Sequence, residues 1–259
     1  MPNIDKYPAG AFVWVELGTT DQAAAKNFYA SLFGWSANDM PMGPGEYYTI
    51  FRLEGRDTAA AYTLRPEQSG SAPPHWMLYI SVASADEAAA RAAQVGGRVV
   101  APPFDVYDAG RMAIVQDPTG AMFCLWQPKT NQGIGIAGMD GTLCWADLMT
   151  ADAPRARQFY ADLFGWQIAP GPNDPSGYLH IKNGETFIGG IPPVGPQPGV
   201  PAHWLLYFLA SDCDGAAAKA TSLGANIYHG PTTMEGVGRW AVVADPQGAV
   251  FAIFQPLPH

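Results

Sequence analysis

The chain has 259 residues, of which 48% are hydrophobic and 14% charged, and its formal net charge is −9. That is enough apolar material for two packed cores, while an acidic balance without a basic patch excludes nucleic acid as the expected partner. Neither a secretory leader nor a long apolar span is legible, so the expectation is a cytoplasmic protein that does not engage a membrane.

Phe12 to Leu17 alternates two kinds of side chain, with Val13, Val15 and Leu17 on one face and Phe12, Trp14 and Glu16 on the other, the period of a strand. Asp21 is a helix N-cap, Ala24, Phe28 and Leu32 recur at i+4 as a buried stripe, and Gly34 suits the left-handed position that ends the helix. Trp35 then folds back over the last turn. Pro41 to Gly45 reads as a loop, followed by short strands at 47–53 and 58–64 and a linker from Pro66 to Pro74. A second strand begins at His75, and its helix runs from about Asp86 to Val95, closed by Gly96-Gly97. Strands near 98–101, 111–116 and 122–127 follow, the last two joined by the tight turn Asp117-Pro118-Thr119-Gly120.

The chain then repeats itself. Trp145, Asp152, Phe159-Tyr160, Leu163 and Gly165-Trp166 recur at one constant offset from Trp14, Asp21, Phe28-Tyr29, Leu32 and Gly34-Trp35. His203-Trp204 repeats His75-Trp76, Asp214 repeats Asp86, Arg239 repeats Arg111, and Asp245-Pro246-Gln247-Gly248 repeats the tight turn. The expected organisation is two domains, residues 1–130 and 142–259, with a Gly-rich linker over 131–141. Each domain holds two βαβββ modules, an α+β architecture with helices outside a cup-shaped mixed sheet. Whether each copy closes its own cup, or modules pair across copies, stays open at this level.

This pattern, a strand leading to Asp-helix-Phe-Tyr-x-x-x-Phe-Gly-Trp and closing on Asp-Pro-x-Gly, resembles the vicinal oxygen chelate superfamily. That family includes glyoxalase I, extradiol dioxygenases, fosfomycin resistance enzymes and bleomycin-binding resistance proteins. The resemblance extends over nearly the whole chain, and is strongest to a bacterial tandem glyoxalase-like subgroup that includes a mycobacterial antigen of similar length. In the metal-dependent members, it implies His or Gln ligands on each module's first strand and Glu on the last. The positions that correspond are Trp14, Tyr79, Trp145 and Tyr207, with Cys124 and Ala252 where glutamate would stand. Indole offers no lone pair to a divalent ion, so no metal or other cofactor is expected, with a displaced divalent site as the alternative.

Strand alternation places His75, Met77 and Tyr79 on the concave face, with Trp14, Glu16, Met122, Cys124 and Trp126, while Trp76, Leu78, Ile80 and Val82 pack on helices. In the second copy Trp145, Asp147, His203, Leu205, Tyr207, Ala252 and Phe254 face the cup. Such a lining suits a small-molecule pocket, or alternatively a core that fills the cup. Glu16 and Asp147 need partners in so apolar a place, and His75 and His203 are the nearest by strand logic, giving two carboxylate–histidine pairs as catalytic candidates. Arg111 and Arg239 could hold a ligand anion, or pair structurally with Asp105, Asp108 or Glu235. His180, His229 and His259 read as surface residues. Cys124, Cys144 and Cys213 have neither metal-type nor redox-type spacing and read as reduced thiols.

Two functions follow as expectations. One is a metal-free protein that binds small, partly apolar organic molecules for sequestration or detoxification, as the resemblance to bleomycin-binding members implies. The other is a lyase or isomerase working through a displaced metal or a carboxylate–histidine pair. A homodimer is compatible with either.

Overall fold

Each sheet forms around its first tryptophan-bearing strand, which has apolar side chains on both faces and pairs on both edges. The computed structural model describes residues 5–65, 73–172 and 175–257. In it β1 (Phe12–Thr19) is buried along its whole length. It leads into α1 (Gln22–Phe33), β2 (Ser36–Gly43), β3 (Glu46–Leu53) and β4 (Arg56–Thr63). The second module comprises β5 (His75–Ser81), α2 (Ala85–Gln94), β6 (Arg98–Val106), β7 (Gly110–Gln116) and β8 (Met122–Pro128). The second copy repeats the order with β9 (Leu143–Met149), α3 (Ala153–Phe164), β10 (Gln167–Pro170), β11 (Leu179–Asn183) and β12 (Thr186–Ile191). It ends with β13 (His203–Leu209), α4 (Cys213–Ser222), β14 (Asn226–Met234), β15 (Gly238–Ala244) and β16 (Val250–Pro256).

The fold is α+β, with two eight-stranded mixed sheets ordered β2-β3-β4-β1-β5-β8-β7-β6 and β10-β11-β12-β9-β13-β16-β15-β14. Antiparallel pairing of β1 with β5, and of β9 with β13, joins the two modules within each copy. Each copy therefore closes its own sheet, which settles the pairing that the sequence left open.

The helix signals act as their chemistry dictates. The Asp21 and Asp152 side chains accept from the backbone N–H of Ala24 and Arg155, and Gly34 and Gly165 end their helices at φ 74° and 72°. Trp35 stacks on Tyr29 with centroids 5.4 Å apart, and Trp166 stacks on Tyr160 at 5.3 Å.

Two features differ from the sequence expectation. Pro41 and Gly43 lie in strand β2 rather than a loop; β2 is a fully exposed sheet edge, where a proline's missing N–H is tolerated. The segment 131–141 is a packed strap rather than a loose tether. Ile134 and Ile136 are buried, Ile134 N donates to Val13 O, and Gly141 N donates to Leu209 O. Of the linker at 66–74, residues 66–72 lie outside the described residues, as does His259.

The convex faces of the two sheets pack against each other as well as against helices. Trp76 on β5 meets Phe208 on β13 at 5.3 Å between centroids, and Phe12 meets Trp204 at 5.5 Å. Each first-module helix docks on the opposite copy: Phe28 lies 6.5 Å from Phe251, and Phe159 lies 6.3 Å from Phe123. One continuous apolar core runs through both copies.

The Asp-Pro-x-Gly turns lock this arrangement. Asp117 Oδ1 accepts from the N–H groups of Thr119, Gly120 and Ala121, while its Oδ2 accepts from Tyr160 OH of the other copy at 3.0 Å. Asp245 does the same for its own turn and takes Tyr29 OH at 3.0 Å. Trp76 and Trp204 donate in turn to the Tyr29 and Tyr160 hydroxyls, at 3.2 and 3.1 Å.

Candidate functional site

The concave face of the first sheet carries one carboxyl in an aromatic lining. Glu16 is opposite Met77, two residues along from the Trp14–Tyr79 pair, and Tyr79 is opposite Cys124. Glu16 is only 9% exposed, and Tyr79 OH donates to its Oε2. Among the described residues no cation offsets the burial, so the Glu16 carboxyl is pushed up to about 7, with the Tyr79 hydrogen bond opposing the shift. Burial also pushes the Cys124 thiol upward, and the Glu16 charge adds to this, so Cys124 is a poor nucleophile.

Two further tyrosines reach the same space. Tyr48 on β3 accepts from Trp14 Nε1 at 3.2 Å. Tyr62, paired with Gly18 across β1 and β4, puts its hydroxyl where a Gly18 side chain would begin, 3.0 Å from an ideal Cβ there; His75 Cε1 is 3.2 Å from the same point. Glycine at position 18 is therefore what admits Tyr62 to the cup.

The second cup keeps the plan with different chemistry. Asp147 is 5% exposed; its Oδ1 accepts from Tyr178 OH at 2.6 Å and Trp145 Nε1 at 3.0 Å, and its Oδ2 from Tyr207 OH at 2.9 Å. Burial raises the Asp147 carboxyl, while these three donors and the nearby His180 pull it back. His180 lies 5.0 Å from the Tyr178 ring, centroid to centroid. Leu205, Tyr207 and Ala252 form an apolar patch of their own, flanked by Trp145, Trp240 and Phe254 and separate from the main core.

Several expected site residues fall elsewhere. The carboxylate–histidine pairs do not form: His75 Nδ1 lies 2.8 Å from Pro73 O and His203 Nδ1 2.9 Å from Pro201 O, each one strand row beyond its carboxyl. Tyrosine is the partner in both copies. Arg111 and Arg239 are on the helix side of their strands and do not line the cups. Arg111 binds both oxygens of Asp86 (2.7 and 2.9 Å) and lies 3.6 Å from Asp105; Arg239 binds both oxygens of Asp214 (2.5 and 2.8 Å). Alternation explains it: Arg111 is opposite Gln127, whose Oε1 accepts from the Ala85 N–H at the start of α2, whereas Met112 is opposite cup-facing Trp126. His180 belongs to the second cup rather than the outer surface, and His229 stacks on Trp240 at 4.6 Å.

Met122, Trp126 and Phe254 are placed on the cup side with Cys124 and Tyr207; Trp126 meets Tyr79 edge-on at 6.1 Å and Phe254 meets Tyr207 at 6.5 Å. Tyr48, Tyr62, Tyr178 and His180 are the residues that sequence reasoning missed. A signal existed for one pair: Tyr48 and Tyr178 recur two residues before Ile50 and His180 on equivalent strands.

Comparison with known proteins accounts for both copies. Residues 11–125 match the Glyoxalase/Bleomycin resistance protein/Dioxygenase superfamily, and residues 144–254 match a glyoxalase-like domain. CFP32 of Mycobacterium tuberculosis, which carries a glyoxylase's name, is 40% identical over the full length of both chains. The chain belongs to the glyoxalase/bleomycin resistance protein/dioxygenase superfamily. The anthracycline biosynthesis protein DauV of Streptomyces sp. strain C5 is 32% identical, with 96% of this chain and 94% of DauV covered. Among solved structures, the Mn(II)-bound glyoxalase of Novosphingobium aromaticivorans superposes at a TM-score of 0.68 with 16% identity, covering 96% of this chain and 83% of that one. The 2,3-dioxygenase LapB of Pseudomonas sp. KL28 gives 0.67 with 15% identity, covering 97% and 95%. At these identities the likeness to solved structures is one of fold.

The superfamily's divalent metal does not fit the residues present. Trp14, Tyr79 and Cys124 in one cup, and Trp145, Tyr207 and Ala252 in the other, occupy the positions to which the sequence resemblance assigns the family's ligands, and indole, phenol and methyl groups are not the donors that a divalent ion takes. Glu16 and Asp147 are engaged by phenols, and Glu185 is 99% exposed at the foot of β12. Among the described residues no three His, Cys, Asp or Glu side chains converge as a metal site. No helix among the described residues is long and apolar enough to cross a membrane.

Proposed function

We propose that this superfamily member binds small, partly apolar organic molecules in its aromatic cups, with a tyrosine-held carboxyl as the polar anchor. The observation that carries this reading is the aromatic lining of Trp14, Tyr79 and Trp126 around a buried carboxyl, Glu16. Stacking surface with one polar contact selects flat, weakly polar molecules. DauV, a relative over nearly the full chain, is named for anthracycline biosynthesis, which makes fused-ring aromatic ketones the first ligand class to try.

The test is titration of chelator-treated protein with fused-ring quinones and ketones, followed by tryptophan fluorescence and calorimetry. Saturable binding that persists in the chelator, and weakens when Trp14 or Trp126 becomes Ala, is the expected result. Binding that requires added Mn2+ or Zn2+ would overturn the metal-free reading.

A second reading has its own observation. A carboxyl held at about 7 is half ionised near neutrality, as a general base requires. Glu16→Gln separates the two, because binding of a neutral ligand survives this change and turnover does not.

A further inference from the structure

The two cups use their carboxyls differently. Asp147 has three donors, Tyr178, Tyr207 and Trp145, which engage both of its oxygens. Glu16 has one donor, Tyr79 on Oε2, and among the described residues nothing else bonds its other oxygen. The surrounding phenols differ as well. Tyr48 accepts from Trp14 but has no acceptor for its own proton among the described residues, and Tyr62 has no hydrogen-bond partner there at all. In the second copy the position of Tyr62 is Pro192, and Tyr178 spends its proton on Asp147. The first cup thus holds an available carboxylate oxygen on β1 and, on the neighbouring β3 and β4, two O–H donors without acceptors, the Tyr62 hydroxyl being seated over Gly18.

That set of groups matches a definite reaction. A carbonyl compound with an acidic neighbouring C–H presents an oxygen acceptor to the two phenols and a proton to the carboxylate. We infer that the first cup is a metal-free enolisation site for apolar ketones, with Glu16 as the base and Tyr48 and Tyr62 as the oxyanion donors. Glu16 Oε1 takes the proton from the carbon beside the carbonyl. The C–H pair becomes the C=C bond, and the carbonyl π pair moves onto oxygen, where the two phenols donate to it. Return of the proton from Glu16 to the same carbon gives exchange, and return to a conjugated carbon gives an isomer; no co-reactant is consumed. The groups facing Glu16 are Tyr48 from β3, Tyr62 from β4, His75 and Tyr79 from β5 and Cys124 from β8. The inference rests on the proposal that the cup binds ligand. The raised Glu16 carboxyl fits the task, because such a base is ionised above neutrality yet remains strong enough to take a proton.

The probe is 2-tetralone, a fused-ring ketone with acidic benzylic hydrogens. Its hydrogen–deuterium exchange is followed by NMR in D2O with the chelator-treated full-length protein, and its binding is measured separately by fluorescence. Exchange faster than in buffer is expected, rising with pH through an apparent pKa near 7. Glu16→Gln should lose roughly 100-fold or more of the acceleration while still binding the ketone. Tyr48→Phe and Tyr62→Phe should each lose about 10- to 100-fold, with the pH midpoint retained. Tight binding with exchange no faster than in buffer would overturn this inference and leave the binding proposal standing. No binding of 2-tetralone or related fused-ring ketones at millimolar concentration would overturn both. Exchange that is abolished by chelator and restored by Mn2+ would overturn the metal-free chemistry.

Discussion

A single side chain, Glu16, connects stability to chemistry. Burial pushes its carboxyl up from the ordinary 4.5 to about 7, so the folded state holds a proton that the unfolded chain has already lost between those pH values. The sign follows: Glu16 costs the fold nothing below about pH 4.5, its burial progressively destabilises the protein as pH rises towards 7, and the loss is complete above that. A shift of this size corresponds to at most about 3 kcal/mol. Urea unfolding at pH 5 and pH 8 should show this loss in the natural protein and much less of it in Glu16→Gln. Asp147 behaves differently because its neighbours depend on it. Asp147→Leu would strip the acceptor from Tyr178 and Tyr207 at once, while Trp145 keeps the Tyr178 hydroxyl, and a loss of roughly 2–4 kcal/mol in urea is expected from the two stranded donors. Neither pairing was legible in sequence. The carboxyls stood out as polar residues on an apolar face, but their tyrosines come from other strands, and local alternation suggested histidine.

At the level of the strand and turn, alternation gave the correct face for Trp14, Glu16 and Tyr79, yet could not decide which face the β7 arginine took. The β7–β8 register decides it, by setting Arg111 opposite Gln127 and beside Asp86 at the start of α2. Arg111→Gln should accordingly leave ligand affinity unchanged and lower the melting temperature only slightly, since the ion pair is solvent-exposed. The Asp-Pro-x-Gly turn is read easily as a turn, but its second carboxylate oxygen acts across the copies. Asp117→Ala removes an acceptor from three backbone N–H groups and from Tyr160, whereas Tyr160→Phe removes the cross-copy bond and the acceptor of Trp204 Nε1 but leaves the turn's own bonds in place. A stability loss of about 3 kcal/mol or more is expected for the first and about 1–2 kcal/mol for the second, by urea denaturation.

The whole molecule is two cups set back to back, not two beads on a thread. Aromatic side chains that a lone domain would expose, among them Phe28, Phe33 and Trp76, are packed against Phe208 and Phe251 of the other copy. The strap at 131–141 holds to both copies through Val13 and Leu209. The intact chain should therefore unfold in one cooperative transition by calorimetry. Residues 1–130 and 142–259 expressed apart should be poorly soluble or largely unfolded, and should recover native fluorescence when refolded together. Two separate transitions in the intact chain would contradict the shared core.

The sequence by itself determined the repeat, the βαβββ order, the helix caps and the cup-facing strands, because periodicity, Asp caps and left-handed glycines act within a few residues. Only the tertiary structure decided that modules pair within a copy and that the copies share a core. It also decided that Glu16 and Asp147 bind tyrosines, and that Tyr48 and Tyr62 reach the first cup. These depend on strand register and on packing between segments far apart in the chain, which local pattern does not encode.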